Sequence, residues 1–209
     1  KNPEEKFKLG GNNHHCVFRF KDQWYIAYHT RVLEGSMDIR KGYRCTHIDE
    51  FTMQADGTIG DIEQTLDGRR QIAWVDAYAE NPAVMVAAMA GTDCVGADSV
   101  SRECGCGHMA LGQIDDGDYV EIQGVDFGAS APKGFEAKIR NASGKSGKVH
   151  LCLDGADGTE IGTLEIARDT QPDFAAVSAG LTGEAVGVHD LYLVFEGDGY
   201  ELESWKFKA

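Results

Sequence analysis

The chain has 209 residues, room for one large β domain or two small ones, and 42% of them are hydrophobic, enough for a packed core. It carries 34 acidic against 20 basic side chains, a net charge of −14. That balance argues against a nucleic-acid partner, whose phosphates it would repel, and is compatible with a neutral polymer such as a polysaccharide. No apolar run approaches the ~18 residues of a membrane-spanning helix, so no membrane partner is expected. Lys1-Asn2-Pro3-Glu4-Glu5 is neither a signal sequence nor a natural start, so the chain is expected to begin after processing or cleavage.

Glycine is abundant, at 26 residues, and Asp-Gly recurs, as at Asp56-Gly57, Asp116-Gly117 and Asp198-Gly199. Such pairs supply the positive φ angles of tight turns. Short runs with period-two alternation lie between them, and helical periodicity is nearly absent. The pattern predicts an all-β protein.

The first chemistry-bearing stretch is Gly10-Gly11-Asn12-Asn13-His14-His15-Cys16. A hairpin follows: Val17-Phe18-Arg19-Phe20 alternates, Lys21-Asp22-Gln23 turns, and Trp24 to His29 returns. After a polar loop, Tyr43 to Met53 reads as a third strand, with Cys45, His47 and Asp49 on one face and Thr46, Ile48 and Glu50 on the other. Asp49 and Glu50 therefore cannot flank one bond as an acid and base pair. Asp56-Gly57 turns into an expected fourth strand, Thr58 to Ile62. Four sequential antiparallel strands are the unit of a β-propeller blade, and one blade cannot close a ring or bury both its faces. Residues 1–78 are thus expected to be an incomplete domain.

Asn81-Pro82 marks a boundary, and residues 79–209 read as a second domain. Its expected strands are Ala83 to Ala88, Asp118 to Ile122, Gly134 to Arg140, Val149 to Leu153, Gly162 to Ile166, Gly187 to Phe195 and Glu201 to Phe207. Their spacing predicts a β-sandwich of jelly-roll type. The six cysteines fit no zinc spacing. Cys104-Gly105-Cys106 is too tight to bridge to itself comfortably, but either thiol could reach Cys94. Free thiols and one disulfide stand equally open.

Gly11 through Phe20, then Trp24 to Arg31, then Gly42-Tyr43-Arg44 and His47-Ile48-Asp49-Glu50, resemble the last blade of glycoside hydrolase family 43, arabinofuranosidase and β-xylosidase members above all. The resemblance implies a five-bladed propeller completed by an N-terminal chain from the same precursor, acting on arabinoxylan-type oligosaccharide or polysaccharide. It also implies a secreted or periplasmic location. The implied chemistry is inverting hydrolysis, with acid and base carboxyls ~6.5–9.5 Å apart. The family motifs that carry those carboxylates are not in this sequence, so no catalytic residue is assigned here. On the residues alone His14 reads as a structural histidine; the resemblance places it at the propeller centre, beneath the sugar, where it would contact a cation or ordered water. Arg44 matches the family arginine that donates to sugar hydroxyls. Asn13 and His29 are further candidates for substrate contact.

The second part is similar to carbohydrate-binding module family 6, on Gly112 through Val120, Val125-Asp126-Phe127-Gly128, His189 through Phe195 and Tyr200 through Phe207. Glu201 stands where that family has a glycan-binding Asn, and Phe174 is the nearest aromatic to its loop Trp. The resemblance implies a structural calcium, not required for the chemistry, with Glu203 as its late carboxylate; Ala83 to Ala88 offers no early one. The alternative to an enzyme is a non-catalytic carbohydrate-binding or structural module.

Overall fold

A computed structural model describes residues 14–36, 38, 41–65, 72–105 and 107–209. The chain divides into two compact units, residues 1–71 and 72–209.

The first unit is built on a three-stranded antiparallel sheet of β1 (His15–Phe20), β2 (Gln23–Thr30) and β3 (Cys45–Phe51), in that order. A two-residue turn joins β1 to β2, with Lys21 at φ 45° and Asp22 at φ 68°. Both angles lie in the left-handed region that matches the twist of a hairpin. His15 pairs with Tyr28 and Phe20 with Gln23, while Tyr28 pairs with His47 and Trp24 with Phe51. One face therefore carries His15, Ile26, Tyr28, His47, Asp49 and Phe51; the other carries Phe18, Phe20, Tyr25, Ala27 and Ile48. A short helix, α1 (Val32–Ser36), follows β2.

The expected fourth strand does not form: residues 58–62 contribute a single bridge, Met53 to Ile59. The Asp56-Gly57 turn is present, with Gly57 at φ 82° and Thr58 N–H donating to Asp56 Oδ1 at 2.9 Å. Beyond it the chain crosses the sheet face instead of continuing the ladder. Buried Asp49 requires donors, and Thr65 supplies its N–H at 3.2 Å and its hydroxyl at 2.7 Å.

The second unit is a β-sandwich. One sheet has the order β13 (Gln171–Gly180), β10 (Gly134–Asn141), β15 (Glu201–Lys208), β8 (Met109–Gly112), β7 (Asp93–Gly96), with β5 (Asn81–Pro82) also on β15. The other has β12 (Thr159–Ile166), β11 (Gly147–Leu153), β14 (Val188–Glu196), β9 (Tyr119–Asp126), β4 (Val75–Asp76), with β6 (Ala88–Ala90) also on β9. A helix, α2 (Ser99–Cys104), is capped by Asp98, which accepts from Ser101 N–H. Alternation explains the layers. In β10, Phe135, Ala137 and Ile139 point into the core while Glu136, Lys138 and Arg140 point out. In β14, Leu191, Leu193 and Phe195 do the same against Asp190, Tyr192 and Val194.

Four further sequence expectations shift. Residues 75–78 belong to the sandwich, since Val75–Asp76 pairs in parallel with β9 and Phe207 N–H donates to Ala77 O at 2.8 Å. The expected first strand at 83–88 is replaced by β5 and β6, split by a turn at Pro82 to Met85. β13 is a ten-residue strand beyond those expected from sequence, its alternation masked by the Gln-Pro-Asp start. Cys104 is disulfide-bonded and Cys94 is a free thiol, so the Cys94 pairing is not formed.

Phe207 is 2% exposed and is packed by the rings of Phe127 at 4.9 Å, Phe135 at 5.1 Å and Trp205 at 6.1 Å. Truncation to alanine removes all three contacts. Phe207→Ala is expected to cost about 3–5 kcal/mol of stability, read by denaturant titration of the sandwich transition.

Candidate functional sites in the sheet and in the sandwich

Asn13 lies outside the described residues. His14 is exposed at the start of the β1–β2 hairpin, and its backbone N–H donates to His29 Nδ1 at 3.3 Å. The two rings stack with centroids 5.8 Å apart. Because Nδ1 of His29 accepts, its proton in the neutral form sits on Nε2, which is left to donate. Arg44 is exposed just before β3, at the sheet end where β1 begins and β2 ends, and among the described residues its guanidinium has no partner. The structure thus brings His14 and His29 into contact and places Arg44 at the same end of the sheet.

Arg31, at that end too, has another task. It forms a bidentate pair with Glu34, Nε to Oε2 at 2.8 Å and Nη2 to Oε1 at 3.0 Å, and Gly42 N–H donates to the same carboxylate at 2.8 Å. Glu34 is buried, and the Arg31 hydrogen bonds, aided by the Gly42 N–H and the charge of Arg31, hold its pKa down to about 2 against the opposing cost of burial. Asp49 and Glu50 face opposite ways, as read from sequence: Asp49 is buried and accepts the Tyr28 hydroxyl at 2.5 Å, while Glu50 is half-buried on the other face.

Sequence reasoning passed over a cavity of about 230 Å³ on the His15 face, lined by His15, Ile26, Tyr28, Gly60, Asp61, Ile62 and Gln64. It exists because the chain after Gly57 folds over the sheet instead of extending it, which no local pattern announces. His15, not His14, points into it.

In the sandwich, Glu201 opens β15 and accepts from Arg140 Nε at 3.1 Å, from Arg140 Nη2, and from Arg102 Nη2 at 3.1 Å. Arg140 Nη1 donates to Ala97 O at 2.8 Å, and Arg102 Nε to Gly96 O at 2.9 Å. The ring of Phe174 covers the Arg140 guanidinium at 4.3 Å. Phe174 lies on the edge strand β13 rather than in a loop. A carboxylate here, in place of an amide, draws in two guanidinium groups and saturates itself.

Glu203 receives His108 Nε2 at 3.0 Å and lies 3.8 Å from Lys138 Nζ. A nearby carboxylate not singled out from sequence is Glu80, which directly precedes β5 and accepts from Lys138 at 2.5 Å and from the Ser204 hydroxyl at 3.1 Å. The Asn81-Pro82 pair marked this place, but the pairing of so short a strand is a tertiary event. Among the described residues no group of three or more His, Cys, Asp or Glu side chains converges to hold a metal ion.

Two packed, mostly antiparallel sheets define the class of β-sandwich modules. Residues 83–209 match the model of carbohydrate binding module (family 6), and the chain belongs to that family. Over 99% of its length it is also 31% identical to an arabinoxylan arabinofuranohydrolase of Paenibacillus polymyxa, and equally to one of Bacillus subtilis (strain 168). It spans 33% and 40% of the lengths of those two relatives. A crystal structure of a glycoside hydrolase family 43 arabinoxylan arabinofuranohydrolase from Bacillus subtilis, in complex with cellotetraose, superposes on all of this chain with a TM-score of 0.82 at 30% identity, over 43% of that enzyme. A family 6 module from Clostridium cellulolyticum, in complex with xylose, matches 64% of this chain and 99% of its own length, with a TM-score of 0.55 and 28% identity.

The Glu34 pair sets a pH dependence. Its folded pKa of about 2 lies below the ordinary 4.5, so the stability it contributes is present above pH 4.5 and is lost as pH falls through about 2. Glu34→Gln is expected to remove that acid-range dependence, seen as a flatter fall of the first unit's thermal midpoint between those two pH values.

Proposed function

We propose that this chain is the C-terminal portion of an inverting, family-43-type glycosidase that removes arabinofuranosyl or xylosyl units from arabinoxylan-type hemicellulose outside the cell or in the periplasm. The observation that carries this reading is similarity over 99% of the chain to two arabinoxylan arabinofuranohydrolases. In this reading the acid and base carboxylates come from an N-terminal propeller portion, supplied as a partner chain of the same precursor. The only buried carboxylates of the first unit's described residues, Glu34 and Asp49, are committed to Arg31 and to Tyr28 and Thr65. The sheet leaves an apolar face uncovered, with Phe18 36%, Phe20 51% and Ile48 41% exposed. Every residue of β1 is exposed as well. A face of this kind suits a neighbouring blade, and a stable contact of that sort buries on the order of 1,000 Å² or more.

Within that assembly this chain supplies one wall of the sugar site. Arg44 offers a planar set of donors suited to vicinal hydroxyls. His29, its Nδ1 held by the His14 backbone, presents Nε2–H. His14 supports that ring and faces the centre of the propeller, and Asn13 precedes it. Inversion requires a water between the base and the anomeric carbon, with the two carboxyls ~6.5–9.5 Å apart. This wall positions the sugar for attack and takes no proton itself.

The family 6 match favours a second reading for residues 83–209, a carbohydrate-binding module. Against strong binding at Glu201 stands its saturation by Arg140 and Arg102.

The chain alone is expected to show no hydrolysis of an aryl arabinofuranoside or aryl xyloside; turnover by residues 1–209 alone would end the proposal. In the full assembly Arg44→Ala is expected to lower kcat/KM about 10–100-fold, the worth of a charge-assisted hydrogen bond to substrate; unchanged turnover would remove Arg44 from the site. In affinity electrophoresis through arabinoxylan the chain is expected to migrate with little or no retardation.

A further inference from the structure

The outer face of the β5–β15–β10 sheet holds a group of charges that the glycosidase reading leaves unused. Glu80, Glu203 and the Ser204 hydroxyl surround the ammonium of Lys138. Lys138 Nζ lies 2.5 Å from Glu80 Oε1 and 3.8 Å from Glu203 Oε2, and Ser204 donates to the same Glu80 oxygen. His108 lies beside the other Glu203 oxygen, Nε2 to Oε1 at 3.0 Å, with its Nδ1 3.7 Å from Asp98.

Two backbone features create this arrangement. The first is a β-bulge: Lys138 pairs with Ser204 but Ile139 pairs with Leu202, so Glu203 is the extra residue of β15. Phe207 and Trp205 point into the core. Unbroken alternation would send residue 203 inward after them. The bulge turns Glu203 outward and leaves Leu202 to fill the core. The second is buried Asn81, whose amide donates to Asp76 O at 3.0 Å and Ala79 O at 2.9 Å. It fixes the approach to β5, and with it Glu80, beside Ser204.

The family resemblance assigns a structural calcium to an early and a late carboxylate of this sandwich. The residues present do not fit one: the expected early strand, Ala83 to Ala88, carries no carboxylate, and the ammonium of Lys138 lies between Glu203 and the nearby Glu80. We propose that Lys138 is a built-in cation, carried on β10, that replaces calcium and makes this sandwich's stability independent of the metal. The charges support this: Lys138 is the cation nearest both carboxylates, Lys206 and Glu136 add weaker attractions at Glu80 and Lys138, and His108 lies beside the remaining Glu203 oxygen. The ion pairs hold Glu80 below the usual carboxylate range, chiefly through Lys138 and then Ser204, and raise Lys138, chiefly through Glu80. Calcium requires six to eight oxygen ligands. Here it would have to displace a covalently tethered cation whose ordering the strand has already provided. This inference concerns the sandwich alone and stands whether or not the glycosidase assignment does.

The test uses the whole chain. Its thermal midpoint is expected to be the same after exhaustive EDTA treatment and after addition of millimolar calcium, and atomic emission is expected to find no stoichiometric calcium. Lys138→Met keeps the stem and removes the charge, leaving two carboxylates face to face. That variant is expected to melt lower in EDTA and to recover at least ~4 °C with calcium but not with magnesium, whose smaller octahedral shell fits this open site poorly. The double variant Lys138→Met/Glu80→Gln is expected to lose the calcium response. A calcium-dependent midpoint or bound stoichiometric calcium in the unmodified chain would overturn the proposal, and so would a calcium-blind Lys138→Met. If Lys138→Met fails to fold even with calcium present, that also counts against it, because calcium should stand in for the lost ammonium.

Discussion

The sandwich depends on its last strand. β15 lies inside its sheet, bonded to β10 on one side and to β5 and β8 on the other. It brings Leu202, Trp205 and Phe207 to the core, and it brings Glu201 and Glu203 to the two polar networks outside. A central strand supplied by the end of the chain is a non-local constraint: the first sheet cannot close until residues over a hundred positions apart meet, as Glu80 and Ser204 do with a separation of 124. Such contacts pay their loop-closure entropy before they return any burial. The bulge at Glu203 is where core filling and surface electrostatics are reconciled, because one extra residue lets Leu202 and Trp205 both point inward while the carboxylate between them points out.

The first unit is organised by a buried polar group instead of by a large apolar core. Asp49 cannot remain buried without donors, and it finds them in the Tyr28 hydroxyl and in Thr65. That requirement pulls the segment after Asp56-Gly57 across one sheet face, covers that face, and leaves the opposite one apolar and open. Arg31 and Glu34 do the corresponding work for the loop after β2. The same sheet end is left with His14, His29 and Arg44, three side chains with donors and little internal employment. The sheet is left with one covered face, one open apolar face and a polar rim.

Class and order of elements were legible because period-two alternation and Asp-Gly turns are local. Phe135-Glu136-Ala137-Lys138-Ile139 shows its two faces in the letters alone, and so does the hairpin around Lys21-Asp22. The likeness to the two carbohydrate-active families was legible for a related reason: the segments that carry it are contiguous runs. Calls on paired side chains from distant segments were not. β13 was hidden by Pro172 and Asp173, which read as loop, although an edge strand tolerates both. Glu80 was hidden because β5 is only two residues long.

What the sequence by itself determined is the all-β class, the two-part organisation, the place of the hairpin and the kinship with family 6 modules and with arabinoxylan-active enzymes, because each rests on neighbours in the chain. What only the tertiary structure decided is which charges meet. Glu201 reads from sequence as an amide replaced by an acid, but its capture by Arg140 and Arg102 requires β10, β15 and α2 to be in place. Glu203 reads as a candidate metal ligand, but only the bulge and the adjacent strand bring Lys138 and His108 beside it. Charge pairing follows distance in space, and in a sandwich closed by its final strand that distance has almost no relation to distance along the chain.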